Sequence, residues 1–383
     1  MAITEARPTC IECFSGAGGL SLGLHRAGFD VRLAFDCDAD SVASYNANQD
    51  HHPSFAVCRR IEELSPKTLL REAGLEPGQL VLLAGGPPCQ GFSVQRIGRD
   101  QDSRNNLVLE FLERIIELKP WFFLLENVPG IKGRRGSQFL SGLLAEVREA
   151  GYLCHSTVLD ASDFGVPQRR RRVFVVGERL PSGASRFSFP ALTTSNSQLK
   201  MTVRQAIGHL PSPPKDGSEH PLWLNHRRDK LSQKNLERLR ALSAGQGRVD
   251  LPSHLLADCH RASADAIGHR NVYGRMSWDE VAPTITARFD SFTRGQFGHP
   301  QELRSISLRE GAILQGFPET FRFVGSKVSV ARQIGNAVPP PLAEAIGRSL
   351  VGAYAEELEG LPARPIERQS EQLTLFPTSY KPA

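Results

Sequence analysis

No apolar run in this 383-residue sequence approaches the ~20 residues that a helix needs to cross a bilayer. The opening Met1-Ala2-Ile3-Thr4-Glu5-Ala6-Arg7 lacks the apolar stretch of a signal peptide. Together these absences predict a soluble, cytoplasmic protein with no membrane partner. Cysteine is sparse: seven residues, an odd number scattered along a long chain, which excludes a disulfide framework. Cys10 and Cys13 have metal-ligand spacing, but no second pair lies nearby. They read as two packed thiols in a strand, with no metal expected. Internal repeats are also missing.

What is present is ordinary for a globular chain: 40% hydrophobic and 23% charged residues, and length for two or three domains. The net charge of +5 is unevenly spread. Residues 186–304 hold 17 Lys and Arg against 11 Asp and Glu, with seven of the eleven histidines. That surplus points to a polyanionic partner for one segment.

The first ~180 residues alternate strand-like and helix-like patterns, as in a doubly wound α/β sheet. Strands are expected at 8–14, 31–35, 80–84, 121–125 and 173–177, and helices from about 20 to 27 and over 38–48, 61–73, 107–119 and 137–149. From about 181 periodicity weakens and Pro211-Ser212-Pro213-Pro214 breaks any helix. Short helices are expected at 232–242 and 308–314, and a longer one closes the chain near Leu358. The domain expectation is 1–185 completed by 325–358, a smaller irregular unit over 186–324, and a loose tail over 359–383.

Three stretches carry chemistry. Phe14-Ser15-Gly16-Ala17-Gly18-Gly19 joins the first strand to the first helix, and its glycines let backbone approach a nucleotide-like ligand. Asp36 ends the second strand, where an acid commonly holds ribose hydroxyls. Gly85-Gly86-Pro87-Pro88-Cys89-Gln90-Gly91 stops a buried strand and presents one thiol at its carboxyl end. Glu126 ends the next apolar strand among uncharged sequence neighbours, so partial desolvation is expected to raise its pKa and suit it to proton donation. In Gln168-Arg169-Arg170-Arg171-Arg172, alternation puts Gln168, Arg170 and Arg172 on one face.

These pieces, in this order, resemble the DNA cytosine-C5 methyltransferases of bacterial restriction–modification systems. The likeness extends to Arg304-x-x-Ser307-x-Arg309-Glu310, Leu314-Gln315-Gly316-Phe317-Pro318 and Gly335-Asn336-Ala337-Val338. It implies a Rossmann-like S-adenosylmethionine-dependent methyltransferase sheet with a smaller irregular target-recognition domain. It further implies cofactor contacts at Phe14, Gly16, Gly18, Gly19, Leu20, Asp36, Cys37, Pro88, Leu107 and Asn336. Cys89, Glu126, Arg170 and Arg172 are the implied catalytic residues, and Gln90, Ser93 and Gln168 the implied substrate contacts, with no metal.

The implied chemistry is addition of the Cys89 thiolate to C6 of a cytosine flipped out of double-stranded DNA, activating C5 for methylation. Glu126 serves N3 and N4, while Arg170 and Arg172 divide base O2 and bracing in either order. The loop 93–104 closes over the base, and residues 186–300 read sequence. A monomer, nucleoid-associated and functionally paired with a restriction endonuclease, is the implied setting. Arg60 departs from the family's usual Asp and cannot accept a hydrogen bond from adenine, so Glu62 or backbone must serve. Two rivals remain: a tRNA cytosine-C5 methyltransferase, from which the long segment after 185 detracts, and a non-catalytic regulatory subunit, which would lack Cys89 or Glu126.

Overall fold

The computed structural model describes residues 7–88, 106–133, 136–193, 200–257 and 272–361. Seven strands form one sheet: β1 Thr9–Cys13, β2 Asp30–Asp36, β3 Ala56–Cys58, β4 Leu82–Gly85, β5 Phe122–Asn127, β6 Leu153–Asp160 and β7 Arg171–Glu178. Their order is β3-β2-β1-β4-β5-β7-β6. β7 runs antiparallel to both its neighbours, and the other pairings are parallel. The helices are α1 Gly19–Ala27, α2 Ala39–Asn46, α3 Pro66–Ala73, α4 Asn106–Leu118, α5 Ser137–Glu149, α6 Val203–Ile207, α7 Gln233–Arg240, α8 Leu308–Leu314, α9 Lys327–Asn336 and α10 Pro340–Leu358.

Because both sheet faces are covered, the central strands are apolar at successive positions. Ile11, Cys13, Phe123 and Leu125 join α3, α4 and α5 in one core. Cys10, Leu82, Phe122 and Leu124 join α1 and α10 in the other. Cys10 and Cys13 therefore face opposite sides of β1 as buried free thiols, packed as expected and unable to share a ligand.

α10 returns the far end of the chain to α1. A Cβ on Gly23 would stand 2.4 Å from Ala343 Cβ and 2.5 Å from the Pro340 carbonyl, so only glycine permits that approach.

The structure departs from the expected elements in several places, with β6 and α6 among those not foreseen. The helix expected over 61–73 is a single turn, Ile61–Glu63, followed by α3. Pro66 has no N–H to continue a helix, and Ser65 caps a new one by accepting from Thr68 N–H at 3.2 Å. The three-residue β3 and the whole of α9 were not expected: β3 is too short for a pattern, and α9 is marked only by its Ser326 cap.

After β7 the chain is largely irregular, and buried arginines hold it. Arg275 donates to the carbonyls of His299 at 3.0 Å and Leu239 at 2.8 Å, tying separate loops together. A small core forms around Leu239, Leu251, Tyr273 and Phe292. Another joins Ala17 and Leu22 to α6, α8 and α9, seating this region on the loop and helix that follow β1. Among the described residues no helix is long and apolar enough to cross a membrane.

Candidate active site

At the carboxyl ends of β1, β2, β4 and β5 lies a cavity of about 230 Å³. Phe14, Gly16, Leu20, Asp36, Cys37, Pro88, Leu107 and Asn336 all line it, so eight of the ten expected cofactor contacts come together. The turn after β1 puts Gly16 at φ +54° and aims its N–H at Asp36 Oδ2, 2.9 Å away. Asp38 N–H donates to Asp36 Oδ1 at 2.9 Å. Burial pushes the Asp36 carboxyl above its ordinary range, and these two donors partly oppose it.

Gly18 and Gly19 do not line the cavity; they let α1 approach its neighbours. A Cβ on Gly18, at φ +94°, would meet the Tyr45 ring at 2.9 Å, and one on Gly19 would meet the Val338 carbonyl at 2.4 Å.

Glu126 borders the same cavity. The register Gly85↔Leu125 between β4 and β5 sets the glycine–proline turn beside it. A Cβ on Gly86 would lie 3.1 Å from Glu126 Oε2, so the absence of a side chain there admits the carboxylate. Asn127 Nδ2–H donates to the Pro87 carbonyl at 3.2 Å, anchoring the backbone two residues before Cys89. Cys89, Gln90, Ser93 and the closing loop 93–104 lie outside the described residues, as does the tail beyond Leu361.

The apolar surround expected for Glu126 is corrected by tertiary structure: Arg172 Nε stands 3.0 Å from Glu126 Oε1. Burial lowers the Arg172 pKa, and the Glu126 carboxylate opposes that shift. Arg170 is fully buried and donates to the Ile285 carbonyl at 3.1 Å, tying the strand to the irregular region.

The alternation along 168–172 is as expected, with Gln168 and Arg170 buried and Arg169 and Arg171 exposed. A substrate contact by Gln168 does not fit this fold. Its amide N–H₂ donates to the Leu314 carbonyl at 3.2 Å and to Gln315 Oε1, and its Oε1 accepts from Ile285 N–H at 2.7 Å. With all those groups committed in the interior, it is a bracket between β7 and α8.

Several lining residues escaped sequence reasoning. Glu12 borders the cavity while 1% exposed, and an acid inside an apolar strand was the available signal. Arg332 of α9 also borders it and pairs with Asp38 at 2.6 Å, a contact that no local pattern announces. Arg60 lines it as well, with its guanidinium 3.3 Å from Glu62, which shares the wall.

Residues 8–352 match the family model for C-5 cytosine-specific DNA methylase. Among curated relatives, the Type II methyltransferase M1.HphI of Haemophilus parahaemolyticus is 35% identical, over 91% of this chain and 88% of its own length. The Type II methylase M.HgiDII of Herpetosiphon aurantiacus is 33% identical, over 92% and 97%. Among solved structures, an E. coli prophage-encoded protein described as a DNA modification methyltransferase superposes with a TM-score of 0.66 at 28% identity, covering 91% of this chain and 98% of that one. A DNMT2 variant of Spodoptera frugiperda shares the fold at 17% identity and a TM-score of 0.56, covering 89% and 99%.

Proposed function

The chain belongs to the C-5 cytosine-specific DNA methylase family and is a DNA cytosine-C5 methyltransferase, and from that premise we propose how its own residues do the work. The cofactor is S-adenosylmethionine. The cavity suits it: Asp36, oriented by two backbone N–H groups, faces a wall of Phe14, Leu20 and Leu107, as a ribose beside an apolar nucleoside pocket requires. When bound, the cofactor supplies a methyl group on a sulfonium.

The rest falls to side chains. The Cys89 thiolate adds to C6 of a flipped cytosine and makes C5 nucleophilic; later loss of the C5 proton and departure of Cys89 restore the ring. Glu126 holds N3 and N4 and manages the proton that offsets charge on addition. Arg172 fixes the Glu126 carboxylate and faces the base, while Arg170 braces from below. The observation that carries this reading is the Glu126–Arg172 pair at the rim of the cavity, one strand from the Pro87-Pro88 turn that precedes Cys89 in sequence.

Gln90 and Ser93 contact the DNA, and residues 186–324 form the target-recognition unit on a catalytic domain of 1–185 and 325–358. The basic surplus of 186–304 supports duplex binding. The protein acts as a monomer in the cytoplasm, associated with the nucleoid. Several relatives are Type II methyltransferases, and their naming supports a companion restriction endonuclease as a functional partner.

Purified protein with methyl-tritiated S-adenosylmethionine is expected to label duplex DNA at cytosine C5, and Cys89→Ala to abolish labelling. A duplex containing 5-fluorocytosine is expected to trap an adduct on Cys89. Labelling of tRNA alone overturns the DNA assignment, and an adduct on another residue overturns the nucleophile.

A further inference from the structure

Beneath the cavity runs a buried line of side chains that methyl transfer does not explain. Glu12 Oε2 accepts from Ser21 Oγ–H. Ser21 Oγ accepts from Tyr45 O–H at 2.7 Å. Tyr45 Oη lies 2.8 Å from Ser54 Oγ, which is 3.4 Å from His52 Nδ1.

The directions follow from the inventory of hydrogens. Tyr45 gives its single proton to Ser21, so Ser54 must donate to Tyr45, and His52 Nδ1–H must donate to Ser54. Every donor therefore points toward Glu12. Such a chain is polarised to stabilise a negative carboxylate at its head. The His52 Nε2 acceptor at its tail is buried without a hydrogen-bond partner among the described residues.

No cation answers that carboxylate within the described protein. Of the three guanidiniums that line the cavity, Arg332 is 2.6 Å from Asp38, Arg60 is 3.3 Å from Glu62 and Arg59 donates to the Cys58 carbonyl at 3.4 Å, none of them paired with Glu12, while Glu126 has Arg172. The groups that act on Glu12 from its own and the neighbouring elements are Ser21 of α1 and Asp36 of β2, while the Glu12 charge in turn acts on Cys10, Cys13 and Tyr45. None of them is positive.

We propose that Glu12 is the counter-ion for a cationic group of the cofactor, and that cofactor binding releases the Glu12 proton. This rests on S-adenosylmethionine as the occupant of the cavity. A buried carboxyl with no cation keeps its proton; arrival of an ammonium or sulfonium favours the anion that the donor chain already supports. One proton leaves Glu12 for solvent through the cavity mouth per cation bound. Burial pushes Glu12 up to about 8, against the Ser21 hydrogen bond. Burial also holds His52 down at about 4 and drives the Cys10 and Cys13 thiols well up, so none of these titrates between pH 6 and 7.5.

The test is isothermal titration calorimetry of the full chain with S-adenosylmethionine at pH 7, in phosphate and in Tris. The expected result is release of nearly one proton per site and an affinity rising roughly tenfold from pH 6 to 7. Glu12→Gln, close in shape, is expected to keep binding but lose both the buffer dependence and the pH dependence. Adenosine, which lacks both cations, is expected to bind without proton release. Wild-type binding with no proton release overturns the inference, as does equal release from Glu12→Gln or with adenosine. A wild-type chain that binds no S-adenosylmethionine overturns the cofactor reading and this inference together.

Discussion

Arg172 and Glu126 lie on antiparallel neighbours, and the register Glu126↔Phe174 leaves the guanidinium just past the end of β5, where Nε reaches the carboxylate at 3.0 Å. The pair is largely buried, and its two members come from segments more than forty residues apart. Glu126 is therefore an acid oriented by a neighbouring guanidinium and not an isolated one in an apolar pocket.

Arg172→Ala is expected to leave that carboxylate buried and unpaired, at a cost of about 3 kcal/mol in stability. Methyl transfer should fall by roughly 10²-fold or more through loss of the proton-handling group's orientation. Cofactor affinity should stay within a few fold of wild type. Single-turnover methylation and equilibrium cofactor binding, measured side by side, separate the two effects.

Asn127 holds the turn that precedes Cys89, the proposed nucleophile. It bonds the Pro87 carbonyl and, through Oδ1, accepts from Val128 N–H at 2.8 Å. Asn127→Ala should cost only about 1 kcal/mol of stability. Misplacement of the turn before Cys89 should nonetheless lower kcat by roughly 10²-fold, with little change in KM for DNA. A fall in KM-dependent terms alone would contradict a positioning role.

The α1–α10 seam should resist enlargement. Gly23→Ala places a methyl 2.4 Å from Ala343 Cβ and against the Pro340 backbone, which cannot swing away. The expected cost is about 1–3 kcal/mol, read as a lower urea midpoint. Gly142→Ala is the control, because a Cβ there meets nothing within 4 Å.

Stability should also depend on acid through Glu310. Burial alone would push this carboxyl up. Arg304, with Nη1 2.7 Å and Nη2 2.8 Å from its oxygens, joins His299 and the Ser307 N–H to hold it at about 2 instead of the ordinary 4.5. A depressed folded-state pKa contributes stability that is present above the unfolded value and lost as pH falls through the folded one. Denaturant unfolding should therefore weaken between pH 4.5 and about 2. Glu310→Gln should flatten that dependence and, by leaving the buried Arg304 with only the more exposed Glu302 carboxylate 3.0 Å away, cost about 1–3 kcal/mol near neutrality.

Much of the site was legible because its parts are local. A glycine-rich turn after an apolar strand, an acid ending the next strand, and a proline-stiffened thiol turn each declare themselves within a few residues. Eight expected cofactor contacts accordingly line one cavity. Gly18 and Gly19 belong to the same motif but serve packing, because whether a glycine faces ligand or helix depends on elements far along the chain: Tyr45, and Val338 after α9. Gln168 sits in a recognisable run, yet its partners Ile285, Leu314 and Gln315 are more than a hundred residues away.

The amino-acid sequence by itself determined much of the strand-and-turn order, the uneven charge and the family, because periodicity and turn chemistry act over short spans. Only the tertiary structure decided which charges meet. It paired Glu126 with Arg172 and Arg332 with Asp38, withdrew Gln168 into the interior, and left Glu12 beneath the cavity with donors on one side and, among the described residues, no paired cation. Electrostatic energies depend on distance and burial in three dimensions, and a linear chain records neither.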